Sequence, residues 1–351
     1  MKNVKEFKLV ECSGTPYEIG YQWGGGCKES IMQSVENNFN GIQMVHQASK
    51  EQVITTAMKF FPLVQDFDPY LIEILKGQAD GSGISFEEIF TQKCSFELAF
   101  YYKQIAALCT SFAATGNATE DGQTILGQTI DWAPGTPIDL IKIRHSDGLI
   151  QLVVVLGHSS EYTISSAGFG ICANSTIGQD YSFNIPLCCY LPKVMRQKNI
   201  HDAMGLLKQA ARGFGYYHLA DASGTMLGIE SVHNDYELLY PKEDLLLHSN
   251  HYITERFQKG DLAPVFIPDS YYRLNQLKTL MNQHYGRISP EVVMDIMADH
   301  DNHPHSICSH IDLNSPFPSA TLAALILVPA EGAIYIAAGN PCENEFVRYE
   351  L

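Results

Sequence analysis

The stretch Leu108–Trp132, LCTSFAATGNATEDGQTILGQTIDW, decides how the rest of the chain is read. Cys109 opens an apolar, β-prone run, Asp121-Gly122 supplies a turn, and a second β-prone run ends on Asp131-Trp132. Two strands joined by a turn is the direct reading. Opposed residues of an antiparallel pair have a constant index sum. A loop centred on Glu120 sets Cys109 opposite Asp131, whereas a tight Asp121-Gly122 turn slips the pairing by three, so the pattern leaves the register open.

A cysteine ahead of such a hairpin has a chemical use if the chain is cut before it. A free thiol, with a pKa of about 8.5, is mostly protonated at neutral pH. An α-amino group titrating near 7.7 to 8.0 can take its proton. A chain-terminal Cys109 then carries nucleophile and base in one residue, in place of a Cys-His pair. The same thiol can release itself by attacking the Leu108 carbonyl to give a thioester that water hydrolyses, with Asp131 holding the new ammonium or orienting the amide. The plain alternative for Cys109 is a small buried hydrophobe.

Other segments join the hairpin to a known pattern. GTPYEIGYQWG from Gly14, CTSF with GQTIDW, LLHSNHY from Leu246, ADHDNHPHSICSH and AAGNPCENEFVRYEL occur in this order. The set resembles the acyl-coenzyme A:6-aminopenicillanic acid (isopenicillin N) acyltransferase family, of peptidase C45 type, a branch of the N-terminal nucleophile hydrolases. The resemblance implies a four-layer αββα sandwich with two mainly antiparallel sheets, and self-cleavage between Leu108 and Cys109. It assigns the nucleophile to Cys109, the hairpin carboxylate to Asp131 and an oxyanion-hole amide to Asn250. Asn174, in GFGICANSTIG, is similar to a second oxyanion asparagine of the related bile-salt and penicillin V hydrolases. His251, Asp299 and His300 complete the expected substrate-binding set. Gln128 stands where those relatives carry arginine, which disfavours bile-salt hydrolysis. Leu108 and Ser309 likewise replace a glycine and an arginine common in the family.

Composition bounds the partners. A net charge of −16 with 23 Lys+Arg argues against nucleic acid or an anionic membrane as a general partner. A polyanionic donor such as coenzyme A would need a local basic pocket. No apolar run reaches membrane-span length, and the charged start MKNVKEFKLVECSG lacks a signal-peptide core. Nine cysteines, an odd number without zinc-finger spacing, suit reduced thiols in a cytoplasm. The partner is expected to be a small acyl amide or thioester. A coenzyme A thioester would be co-substrate, and no other cofactor is called for. The fragments 1–108 and 109–351 would stay together as a heterodimer, and higher homo-oligomers are left open.

Apolar spacing reads as helices at 17–42, 53–64, 70–80 and from Ser85 toward Ala107, where Ser85 and Glu88 form a capping box. Gly24-Gly25-Gly26 interrupts the first of these and suggests close backbone approach rather than a helix interior. Strands follow at 138–145, 149–157, 162–174, 215–232, 236–240 and 245–252, with a helical insert at 186–213. Helices at 271–284 and 290–299 and a hairpin over 320–338 end the pattern. Helices, sheet, helices and sheet in one unbroken chain give a single α+β domain over 1–351.

His300, His303, His305, Cys308 and His310 are the densest group of soft ligands. They support a zinc hydrolase as the rival enzyme. Against it stand the missing HExxH pair and the match to a family motif that needs no metal, so the expected metal is none. A second rival is an unprocessed chain that binds an acyl compound without turning it over.

Overall fold

The computed structural model describes residues 2–101, 108–178, 183–207, 215–232, 235–315 and 318–351. Before the hairpin lie β1 (Leu9–Gly14) and the helices α1 (Pro16–Gly26), α2 (Lys28–His46), α3 (Lys50–Ala57), α4 (Phe61–Phe67), α5 (Pro69–Ser82), α6 (Phe86–Lys93) and α7 (Ser95–Tyr101). The hairpin strands are β2 (Ser111–Ala114) and β3 (Ile125–Trp132). Then come β4 (Ile138–His145), β5 (Ile150–Leu156), β6 (Ser160–Ser165), β7 (Phe169–Asn174), α8 (Leu187–Met195), α9 (Ile200–Leu207), β8 (Gly215–Asp221), β9 (Met226–Val232), β10 (Asp235–Leu239) and β11 (Leu245–His248). The chain closes with α10 (Glu255–Gln258), α11 (Ala263–Phe266), α12 (Asp269–Gln283), α13 (Pro290–Met297), β12 (Ala320–Val328), β13 (Ala333–Ala338) and β14 (Phe346–Glu350).

The strands form two sheets, ordered β1-β4-β5-β6-β7-β8-β9-β10 and β11-β2-β3-β12-β13-β14. Among the described strand pairs only β1 against β4 is parallel. Alternation along the strands builds the layers, because successive side chains face opposite sides. On β5, Leu152 and Val154 pack with Leu325 and Leu327 of β12 between the sheets. Val153 and Val155 instead face Ile19, Trp23, Ile74 and Leu75 of the first helical layer. On β12, Ala324 and Ile326 face outward to Leu277, Met281, Val293 and Ile296 of α12 and α13. Helices α8 and α9 cover Phe169, Tyr217 and Ile229 on the larger sheet. The result is the expected αββα stack. Truncating one such inter-sheet residue, for example Leu325→Ala, costs about 2–5 kcal/mol.

Three local expectations are revised. Gly24, Gly25 and Gly26 form the last turn of α1, and the run read at 17–42 breaks directly after them, at Cys27, into α1 and α2. The close approach they suggested is present: a methyl on Gly20 or Gly24 would overlap the Ile74 or Gln78 carbonyl of α5, and one on Gly77 the Tyr17 carbonyl. The helical runs at 53–64 and from Ser85 each break into two helices, α3 with α4 and α6 with α7. The Ser85–Glu88 capping box is formed as read. Residues 102–107 and 208–213, which the helical readings reached, lie outside the described residues.

The hairpin register matches neither arrangement foreseen. Ser111 pairs with Gln128 and Ala114 with Ile125, so Leu108, not Cys109, stands opposite Asp131. Asp121-Gly122 does turn, with Gln123 N–H on Asp121 Oδ1 at 2.9 Å. It sits within a longer connection that also contains the short 3₁₀ turn Gly116–Ala118. Extra residues before the turn set the ladder, which a two-residue hairpin rule does not anticipate.

Candidate functional site

Strand pairing brings the site together. His248 of β11 pairs with Ser111 of β2, and continuing that register past both strand ends sets Asn250 across from Cys109. The Cys109 N–H donates to Asn250 Oδ1 at 2.8 Å, and Asn250 Nδ2 donates to the Ser175 carbonyl at 2.9 Å. On the other side, Leu108 and Asp131 exchange backbone hydrogen bonds, Leu108 N–H to Asp131 O at 3.1 Å and Asp131 N–H to Leu108 O at 2.9 Å. The peptide unit between Leu108 and Cys109 is therefore held at its carbonyl by Asp131 and at its nitrogen by Asn250.

Helix α12 adds a residue that the sequence did not single out. Arg273, 1% exposed, donates through Nη1 to the Cys109 carbonyl at 2.8 Å, Thr110 Oγ1 at 2.8 Å and Ser249 Oγ at 2.9 Å. Its Nη2 reaches Asn250 Oδ1 at 2.8 Å and its Nε reaches Asp269 Oδ2, one helical turn earlier, at 2.9 Å. A buried guanidinium is tolerable only with its donors matched and a carboxylate near, and both conditions hold here. Ser270, on the same face of α12, accepts from the Asn250 N–H at 2.7 Å. An arginine inside an ordinary amphipathic helix gives no local signal that it points inward.

The Asp131 carboxylate is fully buried. It accepts from Thr321 Oγ1 at 2.6 Å and Thr129 Oγ1 at 3.2 Å. Burial pushes it up to about 7, against the opposing pull of Arg273 and of these hydroxyls. Burial, then the Asp131 charge, pushes the Cys109 thiol up to about 12; the backbone amides of Asp131 and Ser175 and the Arg273 charge work the other way. The thiol of the uncut chain is thus a weak nucleophile by itself.

Cys109 and Asn174 line one pocket with Phe96, Tyr162, Leu187 and Leu191. Asn174 Oδ1 accepts from Ser111 Oγ, whereas its Nδ2 is buried without a partner among the described residues. A buried amide lacking an acceptor is costly and is common where a ligand oxygen is received. Gln128 ties the sheets together behind the pocket, its Oε1 accepting from Ala173 N–H at 2.7 Å.

The remaining expected residues lie apart from this pocket's lining. His251 is buried behind Asn250, its Nδ1 2.8 Å from Ser270 Oγ and its ring stacked on Tyr271 at 3.8 Å. Burial, with the nearby His248 and Arg273 charges, depresses it to about 3, so it is neutral. Asp299 Oδ2 accepts from Gln276 Nε2 at 3.1 Å, and His300 is exposed with its Nε2 3.0 Å from His310 Nε2.

Comparison with known proteins gives this geometry a family setting. The family model described as acyl-coenzyme A:6-aminopenicillanic acid acyl-transferase matches residues 118–343. The 40 kDa form of the acyl-coenzyme A:6-aminopenicillanic-acid-acyltransferase of Emericella nidulans is 24% identical over 317 residues, covering 85% of this chain and 84% of that protein. An uncharacterised protein of Archaeoglobus fulgidus is 23% identical over 341 residues, covering 81% of this chain but 56% of its own length. Among solved structures, a mutant of the conjugated bile acid hydrolase of Clostridium perfringens matches with a TM-score of 0.47 at 12% identity, over 69% of this chain and 97% of that one. Penicillin V acylase of Agrobacterium tumefaciens matches at 0.45 and 12% identity, over 66% and 83%.

Proposed function

Because the chain belongs to the acyl-coenzyme A:6-aminopenicillanic acid acyl-transferase family, we propose that it is a self-processing cysteine enzyme that cleaves or transfers the acyl group of a small amide or thioester. The observation that carries this reading is the clamp on the Leu108–Cys109 peptide, with Asp131 N–H on its carbonyl at 2.9 Å and Asn250 Oδ1 on its nitrogen at 2.8 Å.

Self-cleavage begins with proton transfer from the Cys109 thiol to ionised Asp131. The sulfur attacks the Leu108 carbonyl carbon, and the developing oxyanion faces the Asp131 N–H. The C–N bond breaks as the Cys109 nitrogen takes a proton, leaving a Leu108 thioester and a free α-amine. Water hydrolyses the thioester and restores the thiol. Asn250 Oδ1 and Arg273 keep the new terminus where the peptide nitrogen had been, so the amine stays beside the sulfur as its base.

In turnover the Cys109 sulfur attacks the substrate carbonyl, and the leaving amine or thiol departs with the proton held by the α-amine. Water or an acceptor amine then takes the acyl group. Asn174 Nδ2, which lacks a partner among the described residues, is a donor available for the oxyanion; a single such donor lowers the barrier by roughly 3–4 kcal/mol. Asn250 Oδ1 positions the nucleophile's nitrogen, while one N–H of its amide donates to Ser175 O. The lining residues Phe96, Tyr162, Leu187, Leu191 and Pro192 favour an apolar acyl group. Among the described residues of the lining there is one carboxylate, Glu161, and no cation. Glu161 is itself paired with the buried Lys93. A polyanionic donor would thus have to keep its charges outside the pocket.

The test is the intact mass and N-terminal sequence of purified protein. Fragments 1–108 and 109–351, with a new terminus at Cys109, are expected, and Cys109→Ala should yield a single full-length chain. A wild-type chain that stays uncut under all conditions removes self-processing. If that chain also shows no thiol selectively reactive with a haloacetamide, a non-catalytic binder replaces the enzyme.

A further inference from the structure

At the outer end of the smaller sheet, His300, Cys308, His310 and Cys342 converge until one ligand atom of each lies within 4.8 Å of all the others. The first three come from the loop after α13. Cys342 comes from the turn between β13 and β14, so no local spacing announces the set. Cys308 Sγ is 3.6 Å from Cys342 Sγ and 3.7 Å from His310 Nε2, and Cys342 Sγ is 3.5 Å from His310 Nε2. His300 Nε2 is 3.0 Å from His310 Nε2. A tetrahedron with Zn–S of about 2.3 Å and Zn–N of about 2.0 Å has S–S, S–N and N–N edges of roughly 3.8, 3.5 and 3.3 Å. Four of the six donor–donor distances stand close to those edges, and the two from His300 to the sulfurs lie within 4.8 Å.

We propose that these four residues bind one tetrahedral zinc ion as a closed structural clip. On binding, the two thiols lose their protons to solvent, and two thiolates with two neutral imidazoles neutralise the ion. Four protein ligands leave no open coordination position, so the site does not act as a metal hydrolase. Cys308 is buried, His310 and Cys342 are half-buried and His300 is exposed, which leaves an entry path on one side. Asn340 Nδ2 lies 3.5 Å from Cys308 Sγ and donates to the Ser309 carbonyl at 2.8 Å, the outer support that a ligating thiolate needs. His305 stays out of the set, its Nε2 facing Asp312 at 3.3 Å.

The clip bears on the catalytic side of the sheet. Ser309, next to Cys308, donates its N–H to Thr321 Oγ1 at 2.9 Å and accepts the Thr321 N–H at 2.9 Å. The same Thr321 hydroxyl donates to Asp131 at 2.6 Å. A metal fixing Cys308 therefore fixes, through the two hydrogen bonds between Ser309 and Thr321, the threonine that orients Asp131. The metal assignment itself does not depend on the role given to Cys109.

The test uses full-length protein without a histidine tag, purified under reducing conditions, dialysed and assayed by plasma mass spectrometry. One zinc per chain is expected. Chelated wild-type protein titrated with Co²⁺ should take up one equivalent and develop the visible bands of a tetrahedral thiolate site. Cys342→Ser and His310→Ala should retain at least roughly tenfold less zinc, while His305→Ala retains the wild-type amount. The cobalt titration needs no variant and stands if a substitution prevents folding. Absence of tetrahedral cobalt uptake by the reduced wild-type chain overturns the proposal, as does finding Cys308 and Cys342 joined as a disulfide in the protein as purified.

Discussion

Cys109 and Cys308 are both buried thiols, and burial pushes each up to about 12. They differ in company. Cys109 is surrounded by directional hydrogen-bonding groups spaced along its backbone and thiol: Asp131, Asn250, Arg273 and the Ser175 amide. Cys308 is surrounded by two imidazoles and a second thiol that all converge on one point. Desolvation raises any thiol and does not distinguish a nucleophile from a ligand. The distinction lies in whether the neighbours are arranged to receive a developing oxyanion or to enclose a cation.

The sharpest way to break this comparison is Cys109→Ser. Loss of the thiol should lower acyl turnover by roughly 10⁴-fold or more while leaving bound zinc unchanged, read by a product assay and metal analysis on one preparation. Zinc lost together with activity would mean that the two regions are not separable.

Arg273→Gln comes next. It removes one hydrogen bond each from the Cys109 carbonyl, Ser249 and Asn250 Oδ1 and takes the guanidinium from Asp269, and should cost about 3 kcal/mol of stability by denaturant unfolding. A cost near zero would show that the network around Cys109 is not built on the guanidinium.

Asp131 gives a pH signature that Cys308 lacks. Its folded-state value of about 7 lies above its ordinary value of 3.8, so the folded chain holds a proton that the unfolded chain has lost between those two. Its contribution is thus fully present below pH 4 and declines as pH rises toward 7. Buried neutral His158, His218 and His251, each depressed to about 3, act in the opposite sense as pH falls below 6.5. The informative quantity is therefore a difference. The Tm of Asp131→Asn minus that of wild type should increase with pH from 4 to 7 and level off above. A flat difference would mean that Asp131 is not protonated in the folded state. If Asp131 is the base for cleavage, wild-type processing should also accelerate over the same rise and then plateau.

Thr321→Val is the smallest and most specific probe, because Thr321 joins the two regions. Losing its hydroxyl should cost about 1–2 kcal/mol. It also removes an interaction that lowers the Asp131 value, so the processing inflection should move to higher pH. An unmoved inflection would disconnect the metal-side loop from the carboxylate.

Much of this molecule was legible before folding because local physics carries it. The Ser85–Glu88 box, the Ser289 cap of α13 and the alternation along β5 and β12 each involve residues a few positions apart. The ordered motifs likewise pointed to Cys109, Asp131 and Asn250, and the fold gathers them around one peptide unit. Register was not legible: both turn rules missed the observed pairing by at least one residue, because turn residues state that the chain reverses, not how many residues the reversal consumes.

The sequence by itself determined the α+β succession of elements and the hairpin, since periodicity and caps are properties of neighbours along the chain, while the layer arrangement and the choice of Cys109 came from the ordered motifs and the family they resemble. Tertiary structure alone decided that Leu108 rather than Cys109 faces Asp131, that Arg273 turns inward onto the Cys109 carbonyl, and that Cys342 completes a donor set with a loop more than thirty residues earlier. The reason is the same in each case: hydrogen-bond matching in a dry interior and the convergence of donors on a point depend on distances in space, which separation along the chain does not encode.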